Sequence, residues 1–126
     1  MSTEWFHSFI LRYYDAWNRR DLALVDRLTD EYTTQDSLTH SPAMPDFAKG
    51  PEAQKAFVRL VLGANPDFHM TLDDLMTDGD KVVMRMTVQG NNPTTGAIES
   101  TCIIDIIRLE GQKMAETWEL FAPGAW

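Results

Sequence analysis

Apolar positions in the first part of the chain recur at helical spacing. Phe6, Phe9, Ile10, Tyr13 and Trp17 fall three and four residues apart, so they share one face of a helix expected over residues 3–20. The basic "NRR" that follows suits the end of this helix, and Asp21 is placed to cap the next one, whose apolar positions are Leu22, Val25 and Leu28. "GPEAQKAFVRLVLGANP" predicts a third helix. Pro51 suits its first turn, Phe57, Leu60 and Val61 form its apolar stripe, and Gly63 and Pro66 stop it. The intervening "TTQDSLTHSPAMPDFAKG" mixes polar residues with prolines and predicts a short strand followed by a loop.

After Pro66 the period of the pattern falls to two. "DFHMTLDDLM" runs into the hairpin signal "TDGD", and "KVVMRMTVQ" alternates Val82, Met84, Met86 and Val88 against Val83, Arg85 and Thr87. "NNPTTG" is the next turn, "AIESTCIIDIIRL" a long strand, "EGQ" another turn and "KMAETWELF" the last strand. Helices followed by a meander of strands predict an α+β fold, with the helices on one face of a curved antiparallel sheet.

The 126 residues fit a single domain with one core. A formal charge of −8 repels phosphate backbones and anionic lipid, which argues against nucleic-acid and membrane-surface roles. No apolar run reaches the roughly twenty residues of a membrane span, and "MSTEWF" lacks signal-peptide character, so a cytoplasmic location is expected. A lone Cys102 excludes an intrachain disulfide, and His7, His40 and His69 are scattered, so no metal site is expected.

Polar residues in apolar stretches are the candidates for chemistry. Alternation puts Asp105 on the same strand face as Ile103 and Ile107, where an ionised carboxylate must pair or stay protonated. A protonated carboxyl can donate a hydrogen bond to a developing enolate, and the same residue can equally serve a structural network. The Tyr13 hydroxyl points toward the core or a pocket, whereas Tyr14 is expected to face elsewhere. Asp36 lies in a turn-like stretch, and Arg85 is either solvent-facing or the partner of a buried carboxylate. Glu119 shares that ambiguity, because the buried face of the last strand is not evident. The seven methionines and six phenylalanines suit either an adaptable core or an apolar cavity.

Several stretches together resemble the nuclear-transport-factor-2-like superfamily and, within it, the SnoaL-like polyketide cyclases. They are "YYDAWNRRDLALVDRLTDEY", "KGPEAQKAFV", "PDFHMTLDDLMTDGDKVVMRMTVQG" and "IIRLEGQKMAETWE". The resemblance covers nearly the whole chain and implies a cone-shaped fold with a cavity. It also implies a homodimer through the outer sheet face, for which Val82, Met84, Met86 and Val88 would serve. Ketosteroid isomerases of this superfamily imply Tyr13 and Asp105 as enolate-holding groups and Asp36 as base. SnoaL-like cyclases imply Glu119 as the acid/base carboxylate, working with Asp105. Limonene-epoxide hydrolases imply Arg85 and Glu119, although Thr87 stands where their second carboxylate belongs.

The expected protein is a small acid–base isomerase or cyclase needing no cofactor. Its substrate would be a hydrophobic carbonyl compound, such as a polyketide, terpenoid or steroid-like ring. Tyr13, Asp36, Asp105 and Glu119 are the catalytic candidates. Arg85, Trp17, Phe57 and Trp118 are the candidate substrate contacts. A non-catalytic binding or assembly module and an epoxide hydrolase are the alternatives.

Overall fold

The computed structural model describes residues 4–41, 48–92 and 94–121. The prolines of the expected loop after the first strand, and the proline of the "NNPTTG" turn, lie outside these residues. Helices α1 (Glu4–Asn18) and α2 (Leu22–Tyr32) lead into strand β1 (Thr33–His40) and helix α3 (Gly50–Ala64). Four strands follow: β2 (His69–Asp78), β3 (Lys81–Asn91), β4 (Ile98–Glu110) and β5 (Lys113–Phe121). The protein is an α+β fold, as the pattern predicts.

Helix α1 buries the expected stripe: Phe6, Phe9, Ile10, Tyr13 and Trp17 are each at most 4% exposed. Asp21 caps α2, its side chain accepting from the Leu24 amide at 3.2 Å. Pro51 occupies the first turn of α3. Gly50, just before it, has φ +82°, and a Cβ there would stand 2.6 Å from the Gln35 carbonyl oxygen, so only glycine lets α3 start this close to β1. One expectation for α3 fails. Leu60 is 65% exposed, and Val58 and Leu62 are the residues that face the core.

The sheet order is β1-β5-β4-β3-β2. The β2–β5 meander is antiparallel, but β1 pairs parallel with β5, so the sheet is mixed rather than antiparallel throughout. β1 precedes α3 and reaches β5 across most of the chain, so no hairpin signal announces the pairing.

The helices cover one face of the sheet. Val82, Met84, Met86 and Val88 of β3 lie on that inner face, each at most 2% exposed. They pack against the helices and cannot form the dimer surface for which the pattern made them candidates. Strict alternation separates two faces without saying which one the helices will cover. The outer face instead carries Val83, Ile104, Ile106 and Trp118, which align across neighbouring strands.

The turn after α1 is tied down by one side chain. Arg20 adopts φ 57°, outside the usual range for a side-chain-bearing residue, and its guanidinium donates to four carbonyls. These are Asn18 at 2.9 Å, Phe68 at 2.8 Å, Pro66 at 2.7 Å and Asn65 at 3.4 Å. Arg20 thus joins the end of α1 to the α3–β2 connection.

Candidate active site

The inner face is apolar along β3 and is interrupted by acids on β4 and β5. Asp105 of β4 stands directly opposite Glu119 of β5, with Met84 of β3 on its other side. Cross-strand neighbours on one face hold their side chains about 5 Å apart, so the two carboxyls meet. In front of them lies a cavity of about 400 Å³, closed by α1 and α3. Its walls include Ile10, Tyr13, Tyr14 and Trp17 from α1, Gln54 and Phe57 from α3, and Met86, Val88, Ile103 and Ile107 from the sheet.

Burial, then the charge of Glu119 and a hydrogen bond to it, hold the Asp105 carboxyl well above the usual carboxylate range. Asp105 Oδ1 is sealed from solvent without a donor, a setting that favours the neutral acid. Glu119 is also raised by burial, but hydrogen bonds from Ser41 and Asp105 work against that rise. The Ser41 hydroxyl donates to Glu119 Oε1 at 2.8 Å. Two carboxyls this close favour sharing one proton, and the larger rise at Asp105 points to that residue as its holder.

The neighbouring phenols have different surroundings. Thr29 donates its single hydroxyl proton to the Val25 carbonyl at 2.7 Å, so in the 3.1 Å contact between Thr29 and Tyr13 the donor is Tyr13. The Tyr13 proton is committed on the helix side of the cavity. Tyr14 was expected to face elsewhere, yet it is buried, lines the cavity and has no hydrogen-bond partner among the described residues. Burial and the negative charge of the Asp105–Glu119 pair hold its phenol well above its ordinary value, so it stays a donor.

Five of the eight candidates thus line the cavity: Asp105 and Glu119 from the sheet, Tyr13 and Trp17 from α1, and Phe57 from α3. Three do not line it. Asp36 is exposed on β1, where an irregularity in register between Thr33 and Leu38 turns it outward while Ser37 and Leu38 border the cavity. Arg85 lies on the outer face, 3.8 Å from Asp73, so the arginine–acid arrangement of epoxide hydrolysis is not assembled with Glu119. Trp118 also faces outward and stacks on His40 at 5.6 Å. Alternation along β5 accounts for this, because Trp118 and Glu119 must point to opposite faces. Among the described residues no group of three or more His, Cys, Asp or Glu is arranged to hold a metal ion, and no helix is long and apolar enough to cross a membrane.

The family model described as a SnoaL-like domain matches residues 10–117, and the chain belongs to that family. No curated protein sequence matches it significantly. Among solved structures, TsrD from Streptomyces laurentii is 26% identical, with 96% of this chain and 90% of that one covered at a TM-score of 0.78. AclR from Streptomyces galilaeus, a candidate hydroxylase, is 22% identical, with 96% and 91% covered at a TM-score of 0.73. IdmH from Streptomyces antibioticus, a candidate polyketide cyclase, is 21% identical, with 91% and 90% covered at a TM-score of 0.73.

Proposed function

We propose that the protein is a cofactor-independent acid–base enzyme, a cyclase or isomerase, acting on an uncharged hydrophobic carbonyl compound. The observation that carries this reading is the Asp105–Glu119 pair, two adjacent carboxyls with raised proton affinity on the wall of a largely apolar cavity. Membership of the SnoaL-like family supports the same class of chemistry, as do structural neighbours described as polyketide cyclases.

Glu119 removes a proton from carbon next to a carbonyl, and the C–H electron pair becomes an enolate. Once protonated, Glu119 no longer holds the Asp105 hydrogen bond, so the Asp105 carboxyl proton turns to the enolate oxygen beside the Tyr14 hydroxyl, each donor contributing about 3 kcal/mol in a site shielded from water. In ring closure the enolate carbon attacks a second carbonyl carbon of the same molecule. The resulting alkoxide takes the proton back from Glu119, so the step consumes neither proton nor electron. In isomerisation the proton returns instead to another carbon of the extended enolate.

The described cavity walls carry Asp105, Glu116 and Glu119 and no Lys, Arg or His, which disfavours an anionic ligand. The test is exchange of α-hydrogens for deuterium, followed by NMR, with α-tetralone and a carboxylated α-tetralone as probes. Exchange of the neutral ketone accelerates, and the carboxylate reacts at least tenfold more slowly. No acceleration of either probe over buffer leaves the non-catalytic binding reading in its place.

We also propose a homodimer in which a second copy covers the outer sheet face. Met76, Val83, Ile106 and Trp118 form one row across four strands, flanked by Ile104 and Leu120. Leu120 is 68% and Met76 61% exposed, more apolar surface than a free sheet face usually shows. Arg85 and the acids Asp73 and Asp74 border the row, so the rim carries both signs and can complement itself. Ile106→Asp converts a dimer to a monomer in light scattering with the far-ultraviolet spectrum unchanged. A wild-type chain that is monomeric at high micromolar concentration overturns this proposal.

A further inference from the structure

The strand that the hairpin pattern did not anticipate bears on how the carboxyl pair divides its proton. β1 runs parallel to β5 with His40 opposite Trp118, which carries Ser41, the next residue, alongside Glu119. The Ser41 hydroxyl then donates to Glu119 Oε1 at 2.8 Å, although the two residues are far apart in sequence. We infer that Ser41 is a positioning residue that fixes where the charge of the pair resides, making Glu119 the ionised, proton-accepting member and leaving the proton on Asp105. The inference rests on the acid–base reading only in treating Glu119 as the base.

Two buried carboxyls in contact share one proton, and small asymmetries decide which keeps it. A hydroxyl donor to an oxyanion is a strong, charge-assisted hydrogen bond. Ser41 supplies one to Glu119, while Asp105 Oδ1 has none. Among the described residues, the other titratable groups facing Glu119 are Asp105 from β4 and Tyr14 from α1, and both oppose its ionisation when charged. Glu116, also at the cavity wall, is engaged by His40 at 2.8 Å and by Arg108 at 3.5 Å, so that acid is compensated separately. Among the described residues, Ser41 is thus the neutral group whose hydroxyl proton favours one acid over the other.

The experiment is a carboxyl-carbon NMR titration of glutamate-labelled protein, with the Glu119 signal assigned by its loss in Glu119→Gln. The α-tetralone exchange rate is measured over the same pH range. In Ser41→Ala the Glu119 midpoint rises by about one pH unit, and the acid limb of the exchange profile moves up with it. The rate above that limb is preserved within about threefold, as expected for a group acting through Glu119. Ser41→Thr, which keeps the hydroxyl, restores both midpoints. A Glu119 midpoint unmoved in Ser41→Ala, or moved equally in Ser41→Thr, overturns the inference. A shifted midpoint in a protein that accelerates no exchange upholds the role of Ser41 and overturns the enzymatic reading instead.

Discussion

Glu119→Gln slows α-tetralone exchange by a factor of about 10² to 10⁴, the span a positioned general base contributes. Glutamine has the shape of glutamate, so its amide oxygen still accepts from Ser41 and its amide nitrogen can donate to Asp105. The substitution removes one half-buried negative charge and leaves the cavity walls in place, so the fold survives. The lost function is the capacity to take a proton from carbon. Ketone binding, followed through the fluorescence of Trp17 at the cavity wall, changes less than threefold. A rate within tenfold of wild type would remove Glu119 from the role of base.

Asp105→Asn changes how stability depends on pH. The folded protein holds a proton on Asp105 well above the range where the unfolded chain releases it. Between those two values the native state binds more protons than the unfolded state, so stability falls as pH rises. Its contribution is complete below the ordinary aspartate range and is lost progressively on the way to the folded value. One such group contributes a slope of at most about 1.4 kcal/mol per pH unit. Glu119, also raised, acts in the same direction. Asp26 and Glu116 are lowered, by Arg59 and His40 respectively, so their contribution is lost at the acid end as pH falls. Thermal unfolding of the wild type therefore moves to lower temperature over the interval between the ordinary aspartate range and the raised folded value, and Asp105→Asn flattens that slope. A wild type that gains stability across this interval, or a variant with an unchanged slope, contradicts a protonated Asp105.

The helices and the four-strand meander were legible because periodicity reports local geometry. Asp105 was legible too, as a charge interrupting an alternating run, and it is 6% exposed. Its partner was harder to recognise, since Glu119 acquires its face from strand register, and two faces of a strand look alike until the helices are placed. Tyr14 escaped for a related reason. A helix packed against both a sheet and other helices buries more than one stripe, and α1 buries Ala16 and Tyr14 beside the expected residues. Asp36 and Ser41 illustrate the limit for parallel pairing. Nothing near them in sequence shows that β1 meets β5, so neither the outward turn of the first nor the inward contact of the second could be read locally. The resemblance to SnoaL-like proteins supplied the family, while the register assigned individual side chains.

The Arg20 staple has a bearing on the cavity beyond stability. It grips the carbonyls of Asn65 and Phe68, both of which line the cavity, through a rigid planar fork. That part of the wall is therefore anchored independently of the Asp105–Glu119 pair. A substitution at either acid leaves those bonds in place, so the chemistry of the site can change without loosening the wall that surrounds it.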